Sequence, residues 1–141
     1  MIRKISGQIT WVEATRVVVE VGGLGYMVHT NCPVKTGKLN QEVTFYTHLA
    51  VRENALDLYG FSSPDELEMF ELLLTLNKIG PKLALQIMVQ ADLAVLKKAI
   101  TTEDAPYLTK LSGIGKKTAE NIVAGLKDLS LIHISEPTRP Y

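Results

Sequence analysis

Leu76-Asn77-Lys78-Ile79-Gly80-Pro81-Lys82-Leu83-Ala84-Leu85-Gln86-Ile87-Met88 is followed, thirty-five positions on, by Leu111-Ser112-Gly113-Ile114-Gly115-Lys116-Lys117-Thr118-Ala119-Glu120-Asn121-Ile122-Val123. Leu, Ile, Gly, Lys, Ala and Ile coincide in the two stretches without a gap. Each copy predicts the end of one apolar helix, a turn at Ile-Gly and the start of another helix. Gly80 and Gly115 suit a tight backbone or the close approach of a ligand. Past the turn, the first N–H groups of the new helix have no partner inside it and lie at the positive end of its dipole. That arrangement suits an anion. Lys82 and Lys117 follow directly, and Lys116 and Thr118 add donors in the second copy. Ala84 and Ala119 are small enough to let the paired helices cross closely. The expected anion-binding set is therefore the backbone at Ile79-Gly80 and Ile114-Gly115 with Lys82, Lys116, Lys117 and Thr118.

This pattern resembles the helix-hairpin-helix motif, which grips nucleic-acid backbone without reading sequence. A single copy is as readily an ordinary helical turn. Two copies in register point to a pair of DNA-backbone grips.

Charge narrows how such grips could work. Fifteen Lys and Arg balance fifteen Asp and Glu, so the net charge is zero. A DNA coat held by a general positive field is excluded, and binding has to come from local asymmetry. Eight lysines lie between Ser63 and Asp128, whereas Asp65, Glu66, Glu68 and Glu71 precede the first hairpin. At 141 residues the chain can build one sizeable core or two small domains. No apolar run approaches the ~18 residues of a membrane helix. The amino terminus lacks the apolar block of a signal peptide, and Cys32 is the only cysteine. A cytoplasmic protein with no membrane association is the expectation.

The predicted fold class is α+β with two domains. Residues 1–62 read as a small antiparallel OB-type β-barrel, with β-rich runs at Ile2–Trp11, Arg16–Val21, Tyr26–Thr30, Val43–Val51 and Leu56–Phe61. Pro33 to Asn40 reads as a loop. Ser63-Pro64-Asp65-Glu66 has the form of a capping box and marks the boundary. Residues 63–128 then read as an all-α domain of five helices built around the tandem hairpins. Asp92 is expected to cap a helix through Ile100, Thr102 a short one ending near Lys110, and the last helix to stop near Leu126. Gly125 inside that helix costs about 1 kcal/mol relative to alanine. Residues 129–141 fit neither pattern and read as a disordered or non-native tail.

Catalytic chemistry is not evident. Gly113 to Thr118 superficially suggests a nucleotide-binding loop, but Leu111 and Lys116 stand where that loop needs glycine. Gly23-Leu-Gly25 lacks the third glycine of a dinucleotide fingerprint. His29, His48 and His133 have no metal-ligand spacing. No catalytic residue, metal or cofactor is expected. Two other readings remain open on the residues alone: a protein-assembly module without DNA binding, and a helix-hairpin-helix DNA lyase or glycosylase.

Four further stretches, with the two hairpins themselves, favour the first reading: Val21-Gly-Gly-Leu-Gly-Tyr26, Phe45-Tyr-Thr-His-Leu49, Val51-Arg-Glu-Asn-Ala55 and Leu58-Tyr-Gly-Phe61, together with Ile79-Gly-Pro-Lys-Leu-Ala-Leu85 and Leu111 to Glu120. Jointly they resemble the RuvA family, the Holliday-junction-binding subunits of bacterial branch-migration complexes, across residues 1 to about 128. The resemblance implies a non-enzymatic homotetramer acting in recombination and repair. Its barrels meet at the centre and its hairpins hold the arms of a four-way DNA junction. The resemblance also implies partners, the RuvB motor ATPase and the RuvC junction resolvase. It makes the 52–55 tip an acidic pin near the crossover, carried here by Glu53, with Asn54 where a second acid is usual. Lys78 stands where the family usually has glycine. The family's third, helical domain, which docks on RuvB, is not seen after residue 128, so poor coupling to the motor is expected.

Overall fold

In the computed structural model of the chain, residues 1–31 and 39–134 are described, 128–134 as backbone alone. Cys32, most of the expected 33–40 loop and residues 135–141 lie outside the described residues. Two compact units form, Met1–Glu71 and a second from Leu72 onward.

In the first unit, β1 (Lys4–Val12), β2 (Arg16–Val21), β3 (Leu24–Thr30), β4 (Glu42–Arg52) and β5 (Ala55–Phe61) close into a barrel in the order β1-β2-β3-β5-β4. Alternate residues turn inward, and Ile5, Ile9, Val17, Val19, Val28, Phe45 and Leu58 form the core. The barrel is not wholly antiparallel. β3 and β5 run parallel, with Val28 opposite Leu58 and Thr30 opposite Gly60. A ring of five strands cannot alternate direction all the way round, so one parallel pair is unavoidable. β1 also shifts register between Ile9 and Trp11, a bulge that bends it between its two neighbours.

Helix α1 (Pro64–Leu74) begins as expected, with the Glu66 N–H donating to Ser63 Oγ at 3.3 Å. The Glu66 carboxylate, however, accepts from the Ser62 and Ser63 hydroxyls and from Asn31 Nδ2 at 2.9 Å. It ties the helix to the end of β3. Phe70 is fully buried and meets Tyr59 and Phe61 at ring-centroid distances of 5.3 and 4.9 Å. The next residue, Glu71, bonds His48 Nδ1 at 2.8 Å and accepts from both terminal guanidinium nitrogens of Arg3. The His48 hydrogen bond, and Arg3 after it, outweigh the cost of burial and hold the Glu71 carboxyl down at about 2. Most of α1 therefore belongs with the barrel. The unit ends after Glu71, where the sequence reading put the boundary at residues 62–63.

The second unit contains α2 (Pro81–Gln90), α3 (Leu93–Thr101), α4 (Ala105–Thr109) and α5 (Lys116–Ile134). Leu73, Ile87, Leu96, Ile100, Leu108, Ile122 and Leu126 are fully buried in it. Asp92 occupies the cap of α3 but makes no side-chain capping bond. The cap of α4 is Asp104, which accepts from the Tyr107 N–H at 3.1 Å, and not Thr102. α5 does not stop near Leu126 but continues to Ile134. No glycine or proline stands between Leu126 and Ile134 to end it, and the first proline beyond is Pro137.

Candidate nucleic-acid interface

The two hairpins of the second unit have matching backbones. In each, the left-handed residue comes two positions before the Ile-Gly glycine: Lys78 has φ +69° and Gly113 has φ +85°. The tight backbone expected at Gly80 and Gly115 thus falls two residues earlier. Gly80 is extended, with φ −93° and ψ 178°, and Gly115 is not left-handed either. A Cβ built on Gly80 or Gly115 meets nothing within 4 Å. Neither backbone strain nor internal packing requires glycine at these two positions.

Both glycines cap a helix. The first bonds inside α2 and α5 run from the Ala84 N–H to Gly80 O (3.0 Å) and from the Ala119 N–H to Gly115 O (2.9 Å). The donors before them have no partner in the helix. They are Gly80, Lys82 and Leu83 in the first hairpin, and Gly115, Lys116, Lys117 and Thr118 in the second. Pro81 contributes no N–H. Ile79 and Ile114 differ from expectation, because their N–H groups are used within the turn. Ile79 donates to Leu76 O at 3.3 Å and Ile114 to Leu111 O at 3.2 Å. Their side chains are buried, so the isoleucines anchor the turn while the glycines beside them face out. Lys82, Lys116 and Lys117 are exposed and Thr118 is half-buried.

The hairpins are joined to one another by groups the sequence reading did not identify. Gln86 Nε2 donates to Ser112 O at 3.1 Å, and Asn121 Nδ2 donates to Asn77 O at 3.4 Å. Residues 86 and 121, and likewise 77 and 112, are one repeat apart. Each helix therefore reaches the same carbonyl of the other hairpin, as a local two-fold axis requires. Gln90 adds a second clamp on one side only, accepting from the Ser112 N–H at 2.7 Å and donating to Ser112 O at 3.1 Å. Gly113 lies under this clamp, with the Gln86 amide 3.1 Å from where a Cβ would sit. The thirty-five-residue offset, visible in the sequence, aligns Gln86 with Asn121 but does not show which carbonyls they reach.

Gly125 is explained by a close approach. Leu76 Cδ2 lies 2.4 Å from a Cβ built there, so α5 needs a gap in its side to admit the leucine. In the first unit, Glu53 and Asn54 form the exposed two-residue tip between β4 and β5, closed by the Arg52–Ala55 pair. Neither has positive φ. Arg52 is held at its base by Asp57, at 2.7 Å. Among the described residues no group of three or more His, Cys, Asp or Glu could hold a metal ion. None of the helices searched is long and apolar enough to cross a membrane.

A closed OB-type barrel and a helical unit with two symmetry-matched hairpins define the class: an OB-barrel protein with a tandem helix-hairpin-helix domain. Residues 1–60 match the RuvA N terminal domain, and residues 70–128 match the SAM-like Helix-hairpin-helix tandem. Three relatives carry the name "Holliday junction branch migration complex subunit RuvA". The one from Alkaliphilus oremlandii is 41% identical over 129 residues, 91% of this chain and 66% of the relative. That from Lactiplantibacillus plantarum is 47% identical over 121 residues (86% and 60%), and that from Staphylococcus aureus 46% over 124 (87% and 62%). The chain belongs to the RuvA family, and it spans 60% to 66% of the length of these relatives.

Proposed function

We propose that the chain binds four-way (Holliday) DNA junctions as a homotetrameric, non-enzymatic scaffold for branch migration driven by a partner ATPase. One observation carries the reading. Neither Gly80 nor Gly115 has a positive φ, and both have empty space at Cβ, so the missing side chain serves something outside the chain. A phosphate brought against a helix N-terminus is that kind of partner. Two such corners related by a local two-fold match the antiparallel strands of a duplex. Lys82, Lys116, Lys117 and Thr118 supply charge and donors around them. Contacts of this type hold the duplex without specifying bases, which lets a junction slide. Four equal arms call for four equal grips, which closed cyclic symmetry supplies. The barrels assemble the tetramer, and Glu53, with Asn54 beside it, lies near the crossover. RuvB and RuvC are the partners expected from the family resemblance alone.

The test is a mobility-shift comparison of a four-way junction with linear duplex across salt. Junction preference and a steep salt dependence are expected. Each phosphate gripped contributes about −0.9 to the slope of log affinity against log salt. Lys117→Ala is expected to weaken binding uniformly across sequences and to flatten the slope by about 1 for each engaged subunit. Equal, weak binding to junction and duplex would favour a protein-assembly role, and strand cleavage at abasic sites a lyase.

A further inference from the structure

We propose that Lys78 is a phosphate-contacting residue of the first hairpin, bringing its charge level with that of the second. This rests on the DNA-backbone reading above. The repeat aligns Pro81 with Lys116 and Lys82 with Lys117. At the first helical position the second hairpin offers an N–H and a cation, and the first offers neither. The same offset aligns Lys78 with Gly113. Both are left-handed, at φ +69° and +85°, a conformation glycine adopts freely and a lysine adopts at a cost.

Nothing inside the chain accounts for lysine at this position. Lys78 is exposed, and among the described residues its ammonium takes part in no hydrogen bond or ion pair. It stands two residues before Gly80, on the turn whose open corner faces out. With Lys78 included, each hairpin carries two lysines, 78 and 82 against 116 and 117; without it the first has one. The two strands of a duplex carry equal charge, so a matched pair of grips engages both alike. The unfavourable backbone is thus tolerated for a cation that the Pro81 position cannot supply.

Three variants of the full chain separate charge from backbone: Lys78→Asn, which tolerates left-handed geometry, Lys78→Gly, which removes the strain, and Lys78→Arg, which keeps the charge. Binding to an immobile four-way junction is measured between 50 and 200 mM salt, with circular dichroism melts alongside. The Asn and Gly variants are expected to melt no lower than the parent. They should bind more weakly at low salt, with a slope flattened by about 0.9 per engaged subunit. Over that fourfold range the deficit then narrows by about 3.5-fold for each phosphate no longer gripped. The Arg variant should keep the parental slope. A parental slope in the Asn and Gly variants, with Lys117→Ala still flattening it, overturns the role of Lys78 and leaves the DNA reading in place. If Lys117→Ala also leaves the slope unchanged, or the chain shows no junction preference, the DNA reading fails and the Lys78 proposal with it.

Discussion

Three glycines of the hairpin domain look alike in the sequence and do different work. Gly113 has φ +85° and sits against the Gln86 amide. Gly113→Ala is therefore expected to lower stability by about 1–3 kcal/mol, read from thermal melts. Gly115 has no such constraint. Gly115→Ala weakens a helix cap but also stiffens the unfolded chain, two opposing effects each below about 1 kcal/mol. Its melting temperature should stay near the parent's while junction binding falls, because the new methyl fills the corner a phosphate would approach. Loss of stability with binding intact would reverse that assignment. Gly125→Ala should destabilise despite alanine's better helix propensity, since Leu76 has to move by about 1 Å or more to clear a real Cβ, a typical overpacking cost of about 1–3 kcal/mol. From sequence alone Gly125 looked like a plain weakness in a helix. Its reason, Leu76, lies forty-nine residues away in the chain and could not be read locally.

Between elements, the polar links decide how parts are held. The Gln86–Ser112, Gln90–Ser112 and Asn121–Asn77 bonds fix the spacing of the two hairpins. Removing both glutamine amides in a Gln86→Ala, Gln90→Ala double variant should speed amide exchange at Ser112. It should also weaken junction binding without changing the salt slope, since no phosphate grip is deleted. A changed slope would mean the glutamines themselves touch DNA. The Arg3–Glu71–His48 cluster likewise holds α1 on the barrel. Glu71 titrates near 2 in the folded chain, below the ordinary 4.5. Its contribution to stability is thus fully present above about pH 4.5 and is lost as pH falls toward 2. Glu71→Gln should lower stability at pH 7 and remove part of the acid-induced decline, as measured by denaturant melts across pH. Periodicity showed α1 and its capping serine. It could not show that Glu71 faces Arg3 and His48, residues brought together only when the barrel closes.

At the scale of the whole molecule, charge and symmetry carry the functional reading. With zero net charge, the DNA binding proposed above requires several local grips acting together. Solution mass by light scattering is expected to give a tetramer. A monomer that still prefers junctions would remove the four-fold part of the proposal. Asn54→Asp restores a second acid at the exposed tip and, in a tetramer, adds four negative charges around the crossover. It is expected to weaken junction binding slightly at low salt and to leave duplex binding unchanged. Equal effects on both substrates would place the tip away from the crossover.

What the sequence determined by itself was everything that repeats or alternates. The two Ile-Gly turns, the β-rich runs of the barrel and the helix starts at Pro64 and Pro81 follow from local sterics and burial of apolar faces. Proximity of distant groups was decided only in three dimensions: the parallel β3–β5 pairing, the docking of most of α1 on the barrel and the exchange of Gln86 and Asn121 between hairpins. The same holds for the use of the Ile79 and Ile114 amides inside their turns. Local preference depends on a few neighbouring residues. Closing a ring of five strands, or relating two hairpins by a two-fold axis, depends on the chain meeting itself.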